Sequence, residues 1–170
     1  MPQTQKFLSF LNENTAVIRK VCRLYTDNPN DFHDCFQEVV LQLWKSFDSF
    51  RGEAKASTWI YRVALNVCLS QLKLRKRQVA STPIDADAAQ RWADVAYDTT
   101  EEEQIQQLYA AIRQLKELDR AIILLYLEER SYDEIADILG MSQSNVGVRI
   151  NRVKKQLNQL IHGRTTGTLA

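Results

Sequence analysis

The segment from Ser131 to Leu160 constrains this chain more than any other. Ser131-x-x-Glu134 is a capping box, in which a hydroxyl and a carboxylate satisfy the first free amides of a helix. Leu139-Gly140 ends that helix, since glycine enters a left-handed turn without a Cβ clash. Ser142 then caps a second helix whose apolar positions Val146, Ile150, Val153, Leu157 and Leu160 are spaced four, three, four, three. A short helix, the turn Gly140-Met141-Ser142 and a long helix predict a helix-turn-helix. Ala136 is expected where the helices cross, with Ile135, Leu139, Val146 and Ile150 closing a small core. This leaves Gln143, Ser144, Asn145, Val148, Arg149 and Arg152 facing outward, at positions that reach base edges in a major groove. Arg149 and Arg152 suit guanine or phosphate, and Gln143 and Asn145 suit adenine. From Met141 to Ala170 there are five basic residues and no acid. An ordinary helical hairpin with a solvated basic face is the bland alternative. It is disfavoured because the small, glycine and apolar positions all fall at the required spacings.

The rest of the chain reads as helix too. Only 5 Gly and 3 Pro occur in 170 residues, too few for a turn-rich sandwich or barrel. Phe7 to Tyr25 predicts a first helix, broken at Asn28-Pro29-Asn30. Phe32, Cys35, Phe36, Val39, Val40, Leu43, Trp44 and Phe47 form one apolar face of a second. After a loop at Phe50-Arg51-Gly52-Glu53, Ser57 or Thr58 is expected to cap a third helix reaching about Arg77, with Ile60, Val63, Ala64 and Val67 buried. Thr100-x-x-Glu103 opens a helix to about Lys116, and another follows Asp119 to Leu127. The expected class is all-α, with two small helical domains: 1–78, an acidic linker 79–103, a helix-turn-helix domain 104–162 and a loose tail 163–170.

Charge sharpens this division. Residues 1–78 carry net +5, residues 79–107 net −6 and residues 108–170 net +2, so a total of +1 conceals two basic blocks around an acidic strip. Asymmetry of this kind points to nucleic acid. On the third helix Trp59, Arg62, Asn66, Ser70, Lys73 and Arg77 form one stripe, and Lys73, Arg75, Lys76 and Arg77 cluster at its foot. An aromatic above cations suits a melted strand, although a basic helix end also matches the helix dipole. On the second helix Asp34, Gln37, Glu38, Leu41 and Lys45 run beside the core face, with Leu41 the one apolar residue. A solvated face is the default for such a row, and a partner-helix contact with one anchor is the alternative.

The longest apolar run, Ala121 to Leu127, is far short of the about 20 residues a membrane helix needs, and no signal peptide is evident. A cytoplasmic protein without membrane insertion is expected. Cys22, Cys35 and Cys68 show no CxxC or zinc spacing, and His33-x-Cys35 lacks two further ligands. They are expected to be plain thiols, with no metal, no cofactor and no catalytic residue.

Asp34 to Trp44, then Phe50-Arg51-Gly52-Glu53-Ala54, then Thr58-Trp59-Ile60-Tyr61-Arg62-Val63-Ala64-x-Asn66, resembles region two of bacterial sigma factors. Ser131-Tyr132-x-Glu134-Ile135-Ala136-x-x-Leu139-Gly140-Met141-Ser142, with Val146, Arg149, Ile150 and Arg152, resembles their region four. Possession of these two regions alone is similar to the extracytoplasmic-function (ECF) group. The resemblance implies that Asp34, Gln37, Glu38 and Leu41 dock on the beta-prime clamp helices of core RNA polymerase. It implies that Trp59, Arg62 and Asn66, with the loop before them and the cations Lys73 and Arg77 beyond, open and read the minus-ten promoter element. Gln143, Ser144, Asn145, Arg149 and Arg152 would read the minus-thirty-five element. Further implied partners are the polymerase beta flap, promoter DNA and an anti-sigma factor. The rival class is a stand-alone helix-turn-helix regulator binding an operator as a dimer, which would need an added interface and symmetric half-sites. An enzyme acting on nucleic acid is a third class; no metal-ligand cluster, nucleophile–base pair or phosphate loop speaks for it in the sequence.

Overall fold

The computed structural model describes residues 2–50, 52, 55–81 and 100–165, and all regular structure among them is helical. The helices fall into two compact units, α1 to α3 and α4 to α7.

In the first unit, α1 (Gln3–Leu24) packs on α2 (Pro29–Ser46), and both pack on α3 (Ala56–Ser81). The break at Asn28-Pro29 is a helix start as well as a stop. The Asn28 side chain accepts a hydrogen bond from the Asp31 amide at 2.9 Å, and Pro29 occupies the first turn, where its missing N–H costs nothing. A single 3-10 turn, Phe47–Ser49, follows α2.

Helix α3 departs from expectation at both ends. It begins at Ala56, so Ser57 and Thr58 lie inside its first turn, and Thr58 is buried. It runs on to Ser81, with neither glycine nor proline to interrupt it. Its buried arc is also broader than expected. Ile60 and Ala64 are fully buried, Val63 and Val67 only half, while Tyr61, Leu65, Cys68 and Leu72 are buried as well. A helix packed on two neighbours buries two adjoining stripes, which a single-face periodicity understates.

In the second unit, α4 (Thr100–Ile112), α5 (Glu117–Leu127) and α6 (Tyr132–Leu139) all pack against α7 (Gln143–Thr165). Helix α4 stops four residues before the expected Lys116. There the chain turns through hydrogen bonds from Leu115 N–H to the Ile112 carbonyl and from Arg120 Nε to the Leu115 carbonyl, each 3.0 Å long, which seat Leu115 in the core. Asp119 therefore lies within α5 and is itself buried. Ile122, Ile123, Leu125, Ile135, Val146, Ile150 and Val153 form the core, and Ile138 fills the place expected for Leu139, which is only half-buried. Helix α7 extends through Gly163 to Thr165, past the expected start of the tail. Of the expected linker 79–103, the ends belong to α3 and α4, and 82–99 lie outside the described residues, as does 166–170 of the tail.

Candidate nucleic-acid interface

Local chemistry sets the geometry of the second unit's outer face. The Ser131 hydroxyl accepts from the Glu134 amide at 3.1 Å, starting α6. Gly140 takes a left-handed conformation (φ 66°, ψ 41°), and the next amide, of Met141, returns to the Ala136 carbonyl at 3.1 Å. Ser142 Oγ accepts from Asn145 N–H at 3.2 Å, starting α7. Ala136 is half-buried, but the tight approach lies at Gly147, where a Cβ would stand 3.4 Å from the Tyr132 ring. That signal could have been read from the sequence: a glycine in the second turn of a helix is unfavourable unless something presses close.

The turn leaves Gln143, Ser144, Asn145 and Arg152 exposed on the first turns of α7, together with Val148, whose exposure of 67% is high for an apolar residue. Arg149 differs. It is half-buried, and its Nη1 lies 3.4 Å from Oδ1 of Asp119. Arg152 Nη2 lies 3.6 Å from the same oxygen. One buried carboxylate on α5 thus pairs with both guanidiniums; Arg152 still faces solvent as expected, whereas the expectation that Arg149 projects freely needs correction. Their orientation is set from beneath by an acid thirty residues earlier than Arg149, a link without any sequence signal.

In the first unit Asn66, Lys73 and Arg77 are exposed along α3, and Arg62 is half-buried on the same stripe. Trp59 is not a free aromatic face. It stacks on Phe50 (ring centroids 4.6 Å apart, 15° between planes) and meets Phe10 at 5.6 Å. Phe10 and Phe7 also pack on Phe47, and Phe7 on Trp44. The tryptophan therefore ties the segment entering α3 to α1 and the end of α2. Arg75, counted with the basic foot, turns inward: its Nη2 donates to the Tyr25 carbonyl at 2.6 Å, and its Nε lies 3.8 Å from Asp31. On α2, Asp34 and Gln37 are exposed, Glu38 is half-buried and accepts from Gln42 at 2.7 Å, and Leu41 exposes 43% of its surface.

Sequence spacing missed one constellation entirely. Cys22, Cys35 and Cys68 meet in the core of the first unit, one from each helix. The Cys35 thiol is held below the ordinary thiol range by hydrogen bonding to Cys22 and then Cys68, aided by the charge of Arg75. Cys68, which donates to Cys22, is pushed above that range, first by its bonding to Cys22 and Cys35 and then by burial.

A three-helix unit with an exposed polar stripe is thus followed in the chain by a helix-turn-helix unit. Residues 10–78 match the family model "Sigma-70 region 2", and residues 105–157 match "Sigma-70, region 4". The ECF RNA polymerase sigma-E factor of Haemophilus influenzae is 33% identical over 143 residues, covering 78% of this chain and 75% of that protein. Its Escherichia coli K12 counterpart is 30% identical over 141 residues, covering 77% and 74%. The fold is also that of the sigma factor RpoE of Bartonella quintana, solved in complex with the anti-sigma factor NepR. The two superpose with a TM-score of 0.72 over 93% of this chain and 98% of that one, at 20% identity. The chain belongs to the ECF group of RNA polymerase sigma factors. No helix among the described residues is long and apolar enough to cross a membrane.

Proposed function

We propose that this sigma factor divides its work between the two units. Residues 1–78 act as region two and 104–162 as region four, joined by the acidic stretch 79–103. In this reading α2 seats on the beta-prime clamp helices of core RNA polymerase through Asp34, Gln37, Glu38 and Leu41. Support comes from Leu41, an exposed leucine in an otherwise polar stripe, which is the composition of an anchored helix–helix contact. The stripe of Trp59, Arg62, Asn66, Lys73 and Arg77 engages the minus-ten element. Trp59 braces Phe50 against the helix, while Asn66, Lys73 and Arg77 offer hydrogen bonds and charge to a separated strand.

The recognition surface on α7 is the observation that carries the reading furthest. Gln143, Ser144, Asn145, Arg149 and Arg152 open a helix whose start is fixed by a serine cap and a left-handed glycine. Such a surface suits the major groove of the minus-thirty-five element, with the second unit also meeting the beta flap. The protein works in the cytoplasm, without a cofactor or catalytic chemistry of its own, and an anti-sigma factor covers its polymerase-facing surface until release.

Run-off transcription with purified core polymerase on genomic fragments tests the whole reading and reports the promoter as well. Discrete transcripts that require this chain are expected. Transcripts unaltered by its addition, combined with dimeric binding to a palindromic site, would favour a stand-alone regulator instead. Glu38→Lys should weaken core binding in a pull-down titration without changing helix content; unaltered affinity removes α2 from the polymerase interface.

A further inference from the structure

The three cysteines serve neither DNA nor polymerase surface, and their placement is unusual. Each comes from a different helix, Cys22 from α1, Cys35 from α2 and Cys68 from α3, and each has 0% of its surface exposed. Their Sγ atoms all lie within 4.8 Å of one another. Cys35 and Cys68 are 2.9 Å apart, and Cys22 and Cys68 3.9 Å. The shorter separation is still well beyond the about 2.05 Å of a disulfide. Three sulfurs around one ion, each at the about 2.3 Å of a metal–thiolate bond, stand about 4 Å from one another. The triangle in the core is close to that size, so small side-chain movements would close it around an ion.

We propose that Cys22, Cys35 and Cys68 form a binding site for one soft, thiophilic cation, Cu(I), held in three-coordinate geometry. The ligand set points to this class. Among the described residues no histidine or carboxylate joins the three sulfurs, whereas a structural zinc site takes four ligands. Thiolate-only coordination selects Cu(I) among the soft metals that need no fourth donor. Binding is ligand exchange without electron transfer: Cu(I) displaces one proton from each thiol to solvent, leaving one ion and three thiolates with two net negative charges. The guanidinium of Arg75, held by the Tyr25 carbonyl, lies near Cys35 and favours its thiolate, an effect that the carboxylate of Asp31 partly offsets. Because the ligands come from α1, α2 and α3, the ion would cross-link the helices that carry the polymerase-facing stripe and the minus-ten stripe.

The full chain, reduced and anaerobic, is titrated against Cu(I) supplied as its bicinchoninate complex. One Cu(I) per chain should be withdrawn from the chelator, and the melting temperature of the protein should rise with loading. Cys35→Ala and Cys68→Ala should each weaken binding by more than the about 10–100-fold that loss of an outer-shell partner costs. Wild-type protein loaded with Cu(I) provides a readout independent of the variants' folding. X-ray absorption should show three sulfur neighbours and no nitrogen or oxygen. Copper that stays with the chelator overturns the proposal, as does equal uptake by the Cys22→Ala/Cys35→Ala/Cys68→Ala variant. A mixed or two-sulfur shell, or tighter binding of Zn(II) than of Cu(I) in a matched competition, also overturns it.

Discussion

Helices α3 and α7 are both long, both carry cations along one stripe, and they are positioned in opposite ways. The start of α7 is settled within about ten residues: Gly140 turns left-handed, Ser142 accepts from the Asn145 amide, and Val146 drops into the core. Helix α3 passes over its nearby cap candidates, Ser57 and Thr58. Its first turn is fastened instead by Trp59, through Phe50 next to it in space and Phe10 from α1. The cations repeat the contrast. On α7 two arginines in the first half of the helix are paired with one buried acid, Asp119. On α3 Arg75 is withdrawn to hold the end of α1 and the start of α2, while Lys73 and Arg77 stay exposed. A basic stripe counted along a sequence therefore mixes residues that face solvent with residues that build the unit beneath it.

The largest effect should come from breaking the long-range fastening of α3. Trp59→Ala should destabilise the first unit by about 3 kcal/mol, the low end for a large aromatic because the ring is only half-buried. Denaturant melts followed by probes in each unit would check this, and loss confined to the second unit would contradict it. Next, Leu41→Asp should reduce affinity for core polymerase by about 2 kcal/mol, as expected of an apolar anchor, with far-UV circular dichroism unchanged. An unaltered titration would leave the α2 stripe as solvated surface.

On the other side of the comparison, Arg149→Ala and Arg152→Ala in holoenzyme should each cost about 1–3 kcal/mol of promoter affinity if they read bases. If they bind phosphate, the loss should be uniform across sequences, with a salt slope lower by about one. Asp119→Asn sharpens this test, since it keeps the shape and removes the charge that holds both guanidiniums. Specific affinity should fall by about 1 kcal/mol while affinity for unrelated DNA is retained, a pattern that separates orientation from bulk charge. The smallest effect belongs to the local device. Ser142→Ala should lower the stability of the second unit by about 1 kcal/mol, the ordinary worth of a cap. A much larger loss would mean that α7 depends on its cap more than on the three helices packed against it.

Much of the second unit was legible because its determinants are neighbours in the chain. A cap, a left-handed glycine and a four-three apolar rhythm act over one or two helical turns, so Ser131, Gly140, Ser142, Val146 and Ile150 could be assigned their work from the sequence. The choice between Ile138 and Leu139 could not, because adjacent apolar residues at a helix end differ only in which way the last turn faces. The end of α4 is hidden from the sequence for a related reason. No glycine or proline marks it, and the turn is held by Arg120 bonding back to the Leu115 carbonyl.

The sequence by itself determined that the described regular structure is helical, where α6 and α7 begin, and that Asp34, Gln37 and Leu41 of α2 stand beside the core. Those properties follow from backbone capping and from periodicity, which are local. Only the tertiary structure decided that Trp59 is a brace, that Arg75 faces inward and that Asp119 governs two arginines of α7. It also brought together three thiols spaced 13 and 33 residues apart. Each of these depends on which faces of separate helices are pressed together, and that is decided by packing the whole core to common density, where no single helix carries the information.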